Sequence, residues 1–318
     1  MLKEVEGKLE DLEAQITAVE KSQDPTDIIF LKQLKNNHKE LMEYGWENLN
    51  AADRVYLARH PKRPNSLEYI ENLFSDFFPL HGDRLSGDDE SILGGIASYH
   101  EIPVTVLAQC KGKNLEENLK YNFGMPSPSG YRKAQRLVKQ AEKFCRPIIT
   151  FIDTPGAYPG LDAEAKGQGE AIASCLSLFS SVKVPVIAII IGEGGSGGAL
   201  ALALANTLIM LENSIYSILS PEGFATILWK DGKKSDEAAN LMKLTAEDLK
   251  TLGTVDYIIP EGIGGAHRNK NQVFTDLDNL LYEELTKLLQ NSGEDLAKAR
   301  YEKFRNMGNF STDNEEKI

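Results

Sequence analysis

An uninterrupted apolar run that passes directly into a glycine-rich turn constrains the fold of this chain more than any other feature. Residues 184–191 (VPVIAIII) have no polar side chain, which is typical of a strand covered on both faces of a parallel sheet. Residues 192–199 (GEGGSGGA) follow at once, and Ser196 is predicted to begin a helix of small residues. This strand–turn–helix unit predicts an α/β fold.

Alternating strand and helix patterns from residue 91 onward support that prediction. Strands are expected at 92–99, 102–109, 147–152, 184–191, 207–218 and 255–259. Helices are expected at 66–77, 129–145, 163–181 and 196–205, with a helical tail from about residue 273. Strands separated by helices require crossover connections, so the sheet is expected to be largely parallel.

The N-terminal segment carries a heptad seam. Its apolar members are spaced alternately by three and four residues: Leu2, Val5, Leu9, Leu12, Ile16 and Val19. We expect Asp24-Pro25 to end this helix and a second helix, at about 28–43, or another subunit to cover the seam. The predicted division is an N-terminal helical extension at 1–64 for packing or subunit contact, a main domain at 65–290, and a helical tail at 291–318. The tail's acidic end, 313–316, is expected to be disordered.

Charge and composition exclude several functions. The formal net charge of −12 argues against a protein that coats nucleic acid. Apolar runs fall short of the roughly 20 residues of a membrane helix, and the acidic N-terminus lacks the apolar centre of a signal peptide. We therefore expect a cytoplasmic protein without membrane contact. The three cysteines form no CxxC pair, so no metal site is predicted in this chain.

The glycine motif by itself allows three hypotheses. Gly192, Gly194 and Gly197 satisfy the dinucleotide fingerprint GxGxxG, with Glu212 at the spacing expected of a ribose-binding acid. The motif also satisfies the GxSxG pattern of a serine hydrolase with Ser196 as nucleophile, and Asp256 and His267 follow in the order of an α/β-hydrolase triad.

The third hypothesis is an oxyanion hole made of backbone N–H groups. Free N–H groups at a helix N-terminus stabilise negative charge on an enolate or a polarised carbonyl, without a side-chain nucleophile. A second glycine turn, residues 153–160 (DTPGAYPG), follows the preceding predicted strand. Both turns are therefore expected at the carboxyl ends of neighbouring parallel strands, where α/β sheets bind ligands.

Several motifs taken together resemble a known family. They are RHPKRP at 59–64, HGDR at 81–84, NFGM at 122–125, FIDTPGAYPG at 151–160, the glycine motif and SPEG at 220–223. In combination they resemble the alpha-subunit family of bacterial acetyl-CoA carboxylase carboxyltransferases. The resemblance implies a ClpP/crotonase-like ββα superhelix rather than a Rossmann sheet.

The resemblance also implies a reaction and partners. In that family the alpha chain works with a zinc-ribbon beta subunit in an α2β2 heterotetramer, and zinc belongs to the beta chain. The reaction moves a carboxyl group from carboxybiotin, on the biotin carboxyl carrier protein loaded by biotin carboxylase, to acetyl-CoA. The product is malonyl-CoA, in the first committed step of fatty acid biosynthesis. An NAD-binding oxidoreductase and a serine hydrolase remain the alternatives.

Under this resemblance, residues of both glycine turns become site predictions. The backbone donors of the oxyanion hole are predicted at Gly194, Gly195, Gly197, Gly198 and Ala199, with Gly197 and Gly198 foremost. The neighbouring turn is predicted to contribute Gly156 and Ala157 to substrate binding. Three cations near glycine- or proline-containing loops are predicted to meet phosphate or carboxylate groups: Lys111, Arg132 and Lys133. Glu222 is expected in the first turn of a helix.

Overall fold

One mixed sheet organises residues 2–22 and 27–308, the part of the chain that this computed structural model describes. Within those residues eight strands pair in the order β1-β2-β3-β4-β5-β6-β8, and β7 pairs with the end of β5. Strands β1 to β3 are antiparallel and the later pairs are parallel. The strands are β1 (Ser75–Pro79), β2 (Ile92–Tyr99), β3 (Ile102–Gln109), β4 (Ile148–Thr154), β5 (Val186–Gly195), β6 (Thr207–Leu211), β7 (Ile215–Ser217) and β8 (Tyr257–Ile259).

Helices cover both faces of the sheet. One buried cluster joins α6, α8 and α9 to one face, and a second joins α4 and α13 to the other. In the part of the chain described, no helix has the length and apolar content that crossing a membrane requires. The helices are α1 (Leu2–Ser22), α2 (Asp27–Trp46), α3 (Ala51–Ala58), α4 (Ser66–Leu73), α5 (Leu115–Lys120), α6 (Pro128–Lys143), α7 (Leu161–Ala165), α8 (Gln168–Ser181), α9 (Ser196–Ala203), α10 (Pro221–Trp229), α11 (Ser235–Leu241), α12 (Ala246–Thr251), α13 (Lys270–Leu288) and α14 (Gly293–Asn306).

Strand β5 confirms the prediction drawn from its apolar run. All its residues are buried, and successive side chains enter opposite faces of the sheet. Ala188 and Ile190 belong to the cluster beneath α6, α8 and α9, whereas Ile187 and Ile189 belong to the cluster beneath α4 and α13. The strand therefore anchors the glycine motif between two packed layers.

Several predicted elements have different bounds. The helix expected at 66–77 ends at Leu73, because the next residues form β1 and pair with β2. The helix expected at 163–181 is divided into α7 and α8 at Gly167, which has a φ of +80°. The single strand expected at 207–218 is two strands, β6 and β7. Helices α11 and α12 were not predicted, whereas α10 begins where the sequence placed Glu222 in a first helical turn.

The N-terminal seam is covered by a second helix, as expected. Helices α1 and α2 pack against each other, and the first three seam residues, Leu2, Val5 and Leu9, are buried. The later ones, Leu12, Ile16 and Val19, are only partly buried. The predicted break at Asp24-Pro25 and the acidic end at 313–316 lie outside the described residues.

Candidate active site

The two glycine turns touch at the carboxyl edge of the sheet. Strands β4 and β5 are parallel neighbours, with Thr154 paired to Gly194. A Cβ added to Gly195 would lie 2.1 Å from the carbonyl oxygen of Pro155, and one added to Gly198 would lie 2.6 Å from the nitrogen of Ala157. Only glycine allows the backbones to approach this closely. The predicted juxtaposition of the turns is confirmed.

The structure separates the predicted donors into two groups. Gly194 and Gly195 belong to β5, where they pair with Tyr216 and Ser217 of β7. The remaining three, Gly197, Gly198 and Ala199, lie in the first turn of α9, whose opening N–H groups have no partner within the helix. The residue before the helix is Gly195, which has no side chain to cap them. The geometry thus favours the α9 group as donors.

The second turn presents one of its two predicted residues in the same way. The N–H of Gly156 donates to Oγ1 of Thr154 at 3.1 Å and is already engaged. For the N–H of Ala157 we find no acceptor among the described residues. Because Ala157 lies directly against Gly198, its N–H is the better candidate from this turn.

An apolar cavity opens beside the start of α9. Its volume is about 450 Å³, within the usual range for small-molecule sites. The lining residues come from α9, from β7 and the residue after it, and from α12 and the segment after it: Ser196, Gly197, Leu200, Tyr216, Ser217, Ile218, Leu249 and Thr254. A Cβ on Gly197 would meet only Ile172, at 3.7 Å, so this position leaves room for a ligand next to the backbone.

The three predicted cations all have partners within the chain. Nζ of Lys133 donates to the carboxylate of Asp88, and the residue is 2% exposed. This burial conflicts with its predicted contact with a substrate. Nη2 of Arg132 donates to the carbonyl oxygen of Lys166 at 2.7 Å. Lys111 is held by two carboxylates at the glycine turns, so none of the three presents a free charge.

A buried charge cluster beneath the turns was missed by the sequence analysis. Glu193, 5% exposed, accepts from Nη2 of Arg59 at 2.7 Å and from Nζ of Lys111 at 3.1 Å. Nζ of Lys111 also lies 2.8 Å from Asp153. Burial alone would raise the pKa of Glu193, but the charges of Lys111 and Arg59 hold it below its ordinary value. A carboxylate at the end of a buried strand requires cationic partners, so the position of Glu193 in the sequence was the signal that could have predicted this cluster.

The dinucleotide hypothesis does not agree with this geometry. Gly192 and Gly194 lie inside β5 and are buried, whereas a fingerprint needs its glycines in a loop whose N–H groups face a pyrophosphate. The carboxylate of Glu212 accepts the backbone N–H of Glu261 at 2.8 Å, so it is occupied within the chain.

The hydrolase triad is not assembled either. Ser196 follows β5 at the carboxyl edge and has a φ of +49°. Asp256 precedes β8 and therefore lies at the opposite, amino edge of these parallel strands, where it pairs with Lys303. Nε2 of His267 lies 3.1 Å from the carboxylate of Glu6. The three side chains thus lie in different parts of the fold.

Glu6, His60 and His267 form a cluster of metal-ligand types, with donor atoms within 4.8 Å of one another. Nδ1 of His60 faces the backbone N–H of Lys62 at 3.2 Å, which places the proton of a neutral ring on Nε2. That protonated Nε2 points at Glu6, and a metal ligand has to be deprotonated. We therefore assign the cluster to holding α1 on the main domain. That this chain binds no metal stays a prediction.

His267 is expected to make stability depend on pH. Burial lowers its pKa below the ordinary value of about 6.5, although the Glu6 carboxylate opposes the shift. Below that value the unfolded chain takes up a proton that the folded chain resists, so the free energy of unfolding decreases as the solution is acidified. The titratable and charged groups that face it are Glu6, His60 and Arg268. Thermal unfolding measured between about pH 7.5 and 5.5 should show a smaller decrease for His267→Gln. An equal decrease in both proteins would contradict this assignment.

Comparison with known protein sequences identifies a family. Residues 2–308 match the family described as acetyl co-enzyme A carboxylase carboxyltransferase-like. The carboxyl transferase subunit alpha of acetyl-coenzyme A carboxylase from Geobacillus thermodenitrificans is 59% identical over 266 residues, 84% of this chain and 82% of that protein. The subunit from Anoxybacillus flavithermus is 52% identical over 310 residues, 96% of this chain and 95% of that protein.

Solved structures agree on the fold. A transcarboxylase 12S structure matches with a TM-score of 0.55 at 17% identity, covering 69% of this chain and 42% of that one. A Pseudomonas malonate decarboxylase hetero-tetramer in complex with coenzyme A matches with a TM-score of 0.56 at 19% identity, covering 68% and 86%. These likenesses confirm the expected crotonase-like fold, and the dinucleotide and hydrolase alternatives are wrong. The chain belongs to the acetyl-CoA carboxylase carboxyltransferase alpha-subunit family.

Proposed function

We propose that this chain is the alpha half of a carboxyltransferase that moves a carboxyl group from carrier-bound carboxybiotin to acetyl-CoA and forms malonyl-CoA. Membership of the family supports the reaction. The observation that carries the assignment of the site is the contact between the two glycine turns, where Gly198 lies against Ala157. Two turns that converge at the carboxyl edge supply what charge stabilisation needs, namely fixed N–H groups in a partly closed site.

The main task of the chain is to stabilise negative charge. Carboxybiotin would supply the carboxyl group as CO2 when its nitrogen–carbon bond breaks, and the freed nitrogen would take a proton from the methyl group of acetyl-CoA. The enolate so formed would bond to the CO2 and give malonyl-CoA. The N–H groups of Gly197, Gly198 and Ala199 would hold the ureido oxygen, on which charge develops as the carbon–nitrogen bond breaks. The N–H of Ala157 would assist from the second turn. No side-chain base from this chain is needed.

The cavity beside α9 suits such a group. A bicyclic ureido ring has one polar edge and an otherwise apolar body. Leu200, Ile218 and Leu249 offer apolar contacts, while the first turn of α9 offers backbone donors at one side. The position of Gly197 keeps the approach to those donors open. We therefore assign the biotin side of the reaction to this cavity.

A partner surface next to the cavity supports an assembly. Ile218, Ile227 and Leu228, at the end of β7 and on α10, are 84%, 65% and 55% exposed. Large apolar side chains exposed on adjacent elements favour a protein interface. We propose that a zinc-bearing beta subunit docks there and contributes the acetyl-CoA side of the site, in an α2β2 complex. The biotin carrier and biotin carboxylase complete the system in the cytoplasm, and the extension at 1–64 serves subunit contact.

Reconstitution tests the proposal directly. We expect decarboxylation of malonyl-CoA, with free biocytin as acceptor, only when this chain is mixed with a zinc-loaded beta subunit. Each chain alone should be inactive, because each supplies one half of the donors. An assembled, zinc-loaded mixture without turnover would contradict the proposed function. Turnover by this chain alone would contradict the shared site.

A further inference from the structure

Arg59 links the glycine motif to helix α10, which follows the cavity-lining residues 216–218 in the chain. Nε and Nη2 of Arg59 donate to Oε1 of Glu193 at 2.9 and 2.7 Å. Its Nη1 donates to Oε1 of Glu222 at 2.7 Å. Glu193 directly precedes Gly194 in β5, and Glu222 lies in the first turn of α10, as the sequence predicted. A planar guanidinium can bind two carboxylates along different edges at once, which a lysine ammonium cannot do with the same geometry.

The Glu193 end of this bridge is fixed from a second side. Nζ of Lys111 bonds Glu193 and also lies 2.8 Å from Oδ1 of Asp153. That oxygen accepts the backbone N–H of Glu193 at 3.0 Å. Asp153 is the first residue of one glycine turn, and Glu193 is the second residue of the glycine motif. Lys111 and the hydrogen bond between Asp153 and Glu193 therefore already link the two turns, and Arg59 adds the connection to α10.

The connection controls one wall of the cavity. Residues 216–218 line it: Tyr216 and Ser217 pair with β5, and Ile218 leads from them towards the start of α10 at Pro221. The opposite wall is the start of α9, with Ser196 and Gly197. Glu222 is half exposed, and Arg59 is the basic residue paired with it in the part of the chain described. Without Arg59, α10 loses its charged link to the glycine motif, and the wall from Ile218 onward is held to it only through the pairing of β7 with β5.

We propose that Arg59 is a positioning residue for carboxyl transfer, which sets the distance between the backbone donors of α9 and the opposite cavity wall by bridging Glu193 and Glu222. This inference rests on the proposed function. It acts through geometry, because Arg59 is occupied by two carboxylates and needs no contact with substrate. Misplacement of donors by about 1 Å is sufficient to slow a reaction by about 100-fold.

The test uses the reconstituted enzyme and three variants. Arg59→Lys and Glu222→Gln should each lower kcat by roughly 10- to 100-fold, with KM for malonyl-CoA changed by less than about 2-fold, because that substrate binds on the partner side. The double variant should be no slower than Arg59→Lys alone, since both changes break the same bridge. If the two substitutions only destabilised the protein, they would lower the fraction of active enzyme, and their effects on kcat would be additive.

Arg54→Lys is the matched control. Arg54 lies in α3, whose C-cap residue is Arg59. Nη1 of Arg54 donates to the carbonyl oxygen of Glu212 at 3.0 Å and to Asn213 at 2.7 Å. It makes no bond to the glycine motif, so kcat should be retained. Unchanged kcat in Arg59→Lys, or additive losses in the double variant, would overturn the inference. If Arg59→Lys fails to assemble, Glu222→Gln decides alone, and an unchanged kcat there overturns it. An inactive unsubstituted enzyme would overturn the proposed function as well.

Discussion

Replacing Gly198 with alanine is expected to lower the rate of carboxyl transfer by roughly 100- to 1000-fold. The added Cβ would lie 2.6 Å from the nitrogen of Ala157 and 2.6 Å from the carbonyl carbon of Gly156. Both are backbone atoms, so no side-chain rotation relieves the contact and the two turns must move apart. The N–H groups of the two turns then no longer point at the same oxygen atom, on which the negative charge develops. The measurement is kcat per assembled complex, with assembly followed by size-exclusion chromatography.

Gly169→Ala provides the control for this substitution. Gly169 lies in α8, and a Cβ there would meet nothing within 4 Å. We expect full activity, because alanine is also the better helix former. If Gly198→Ala lost activity only in proportion to lost assembly, the assignment of these N–H groups as donors would be wrong. Full activity in the assembled Gly198→Ala enzyme would have the same consequence.

The sequence was informative where a local pattern and a physical requirement coincide. An apolar run such as β5 predicts burial, and glycines at its end allow the close approach of backbones seen at Gly195 and Gly198. The predicted strand order therefore placed residues 153–160 next to residues 192–199. The observed contact of Gly198 with Ala157 agrees with that prediction. The same reasoning located the helix α9 and its first-turn N–H groups, although the motif alone left three chemistries open.

Partners that are distant in the sequence decided what local patterns could not. Residues 66–73 begin as a helix because Asn65 and Glu68 form a capping box, but the helix ends where β1 pairs with β2. Lys133 lies one turn before Leu137 on the buried side of α6, and a lysine there is tolerated because the distant Asp88 pairs with it. Likewise, Arg59 and Glu193 are 134 residues apart, and nothing near either residue indicates the other.

Replacing Glu261 with glutamine is expected to lower the free energy of unfolding by about 3 to 5 kcal/mol. The side chains of Arg63 and Glu261 are 4% and 0% exposed. Burial alone would raise the pKa of Glu261, but the Arg63 guanidinium and the Asn213 amide hold it below its ordinary value. Glutamine has nearly the same shape, so the expected loss comes from leaving the Arg63 charge buried without its counter-charge. Denaturant unfolding monitored by circular dichroism measures it.

A second ion pair, Lys62–Glu10, distinguishes the effect of burial on the free energy of unfolding from the effect of charge pairing alone. Lys62 contacts Glu10 at 2.7 Å, and these side chains are 66% and 53% exposed. Because water already solvates both charges, Glu10→Gln should cost about 1 kcal/mol or less. If Glu10→Gln and Glu261→Gln lowered the free energy of unfolding equally, burial of the Arg63–Glu261 pair would not add to its contribution. A large difference would instead show that the segment at 59–64 is bound to the core through Arg63. It would then hold Arg59, four residues before Arg63, in place beneath the glycine motif.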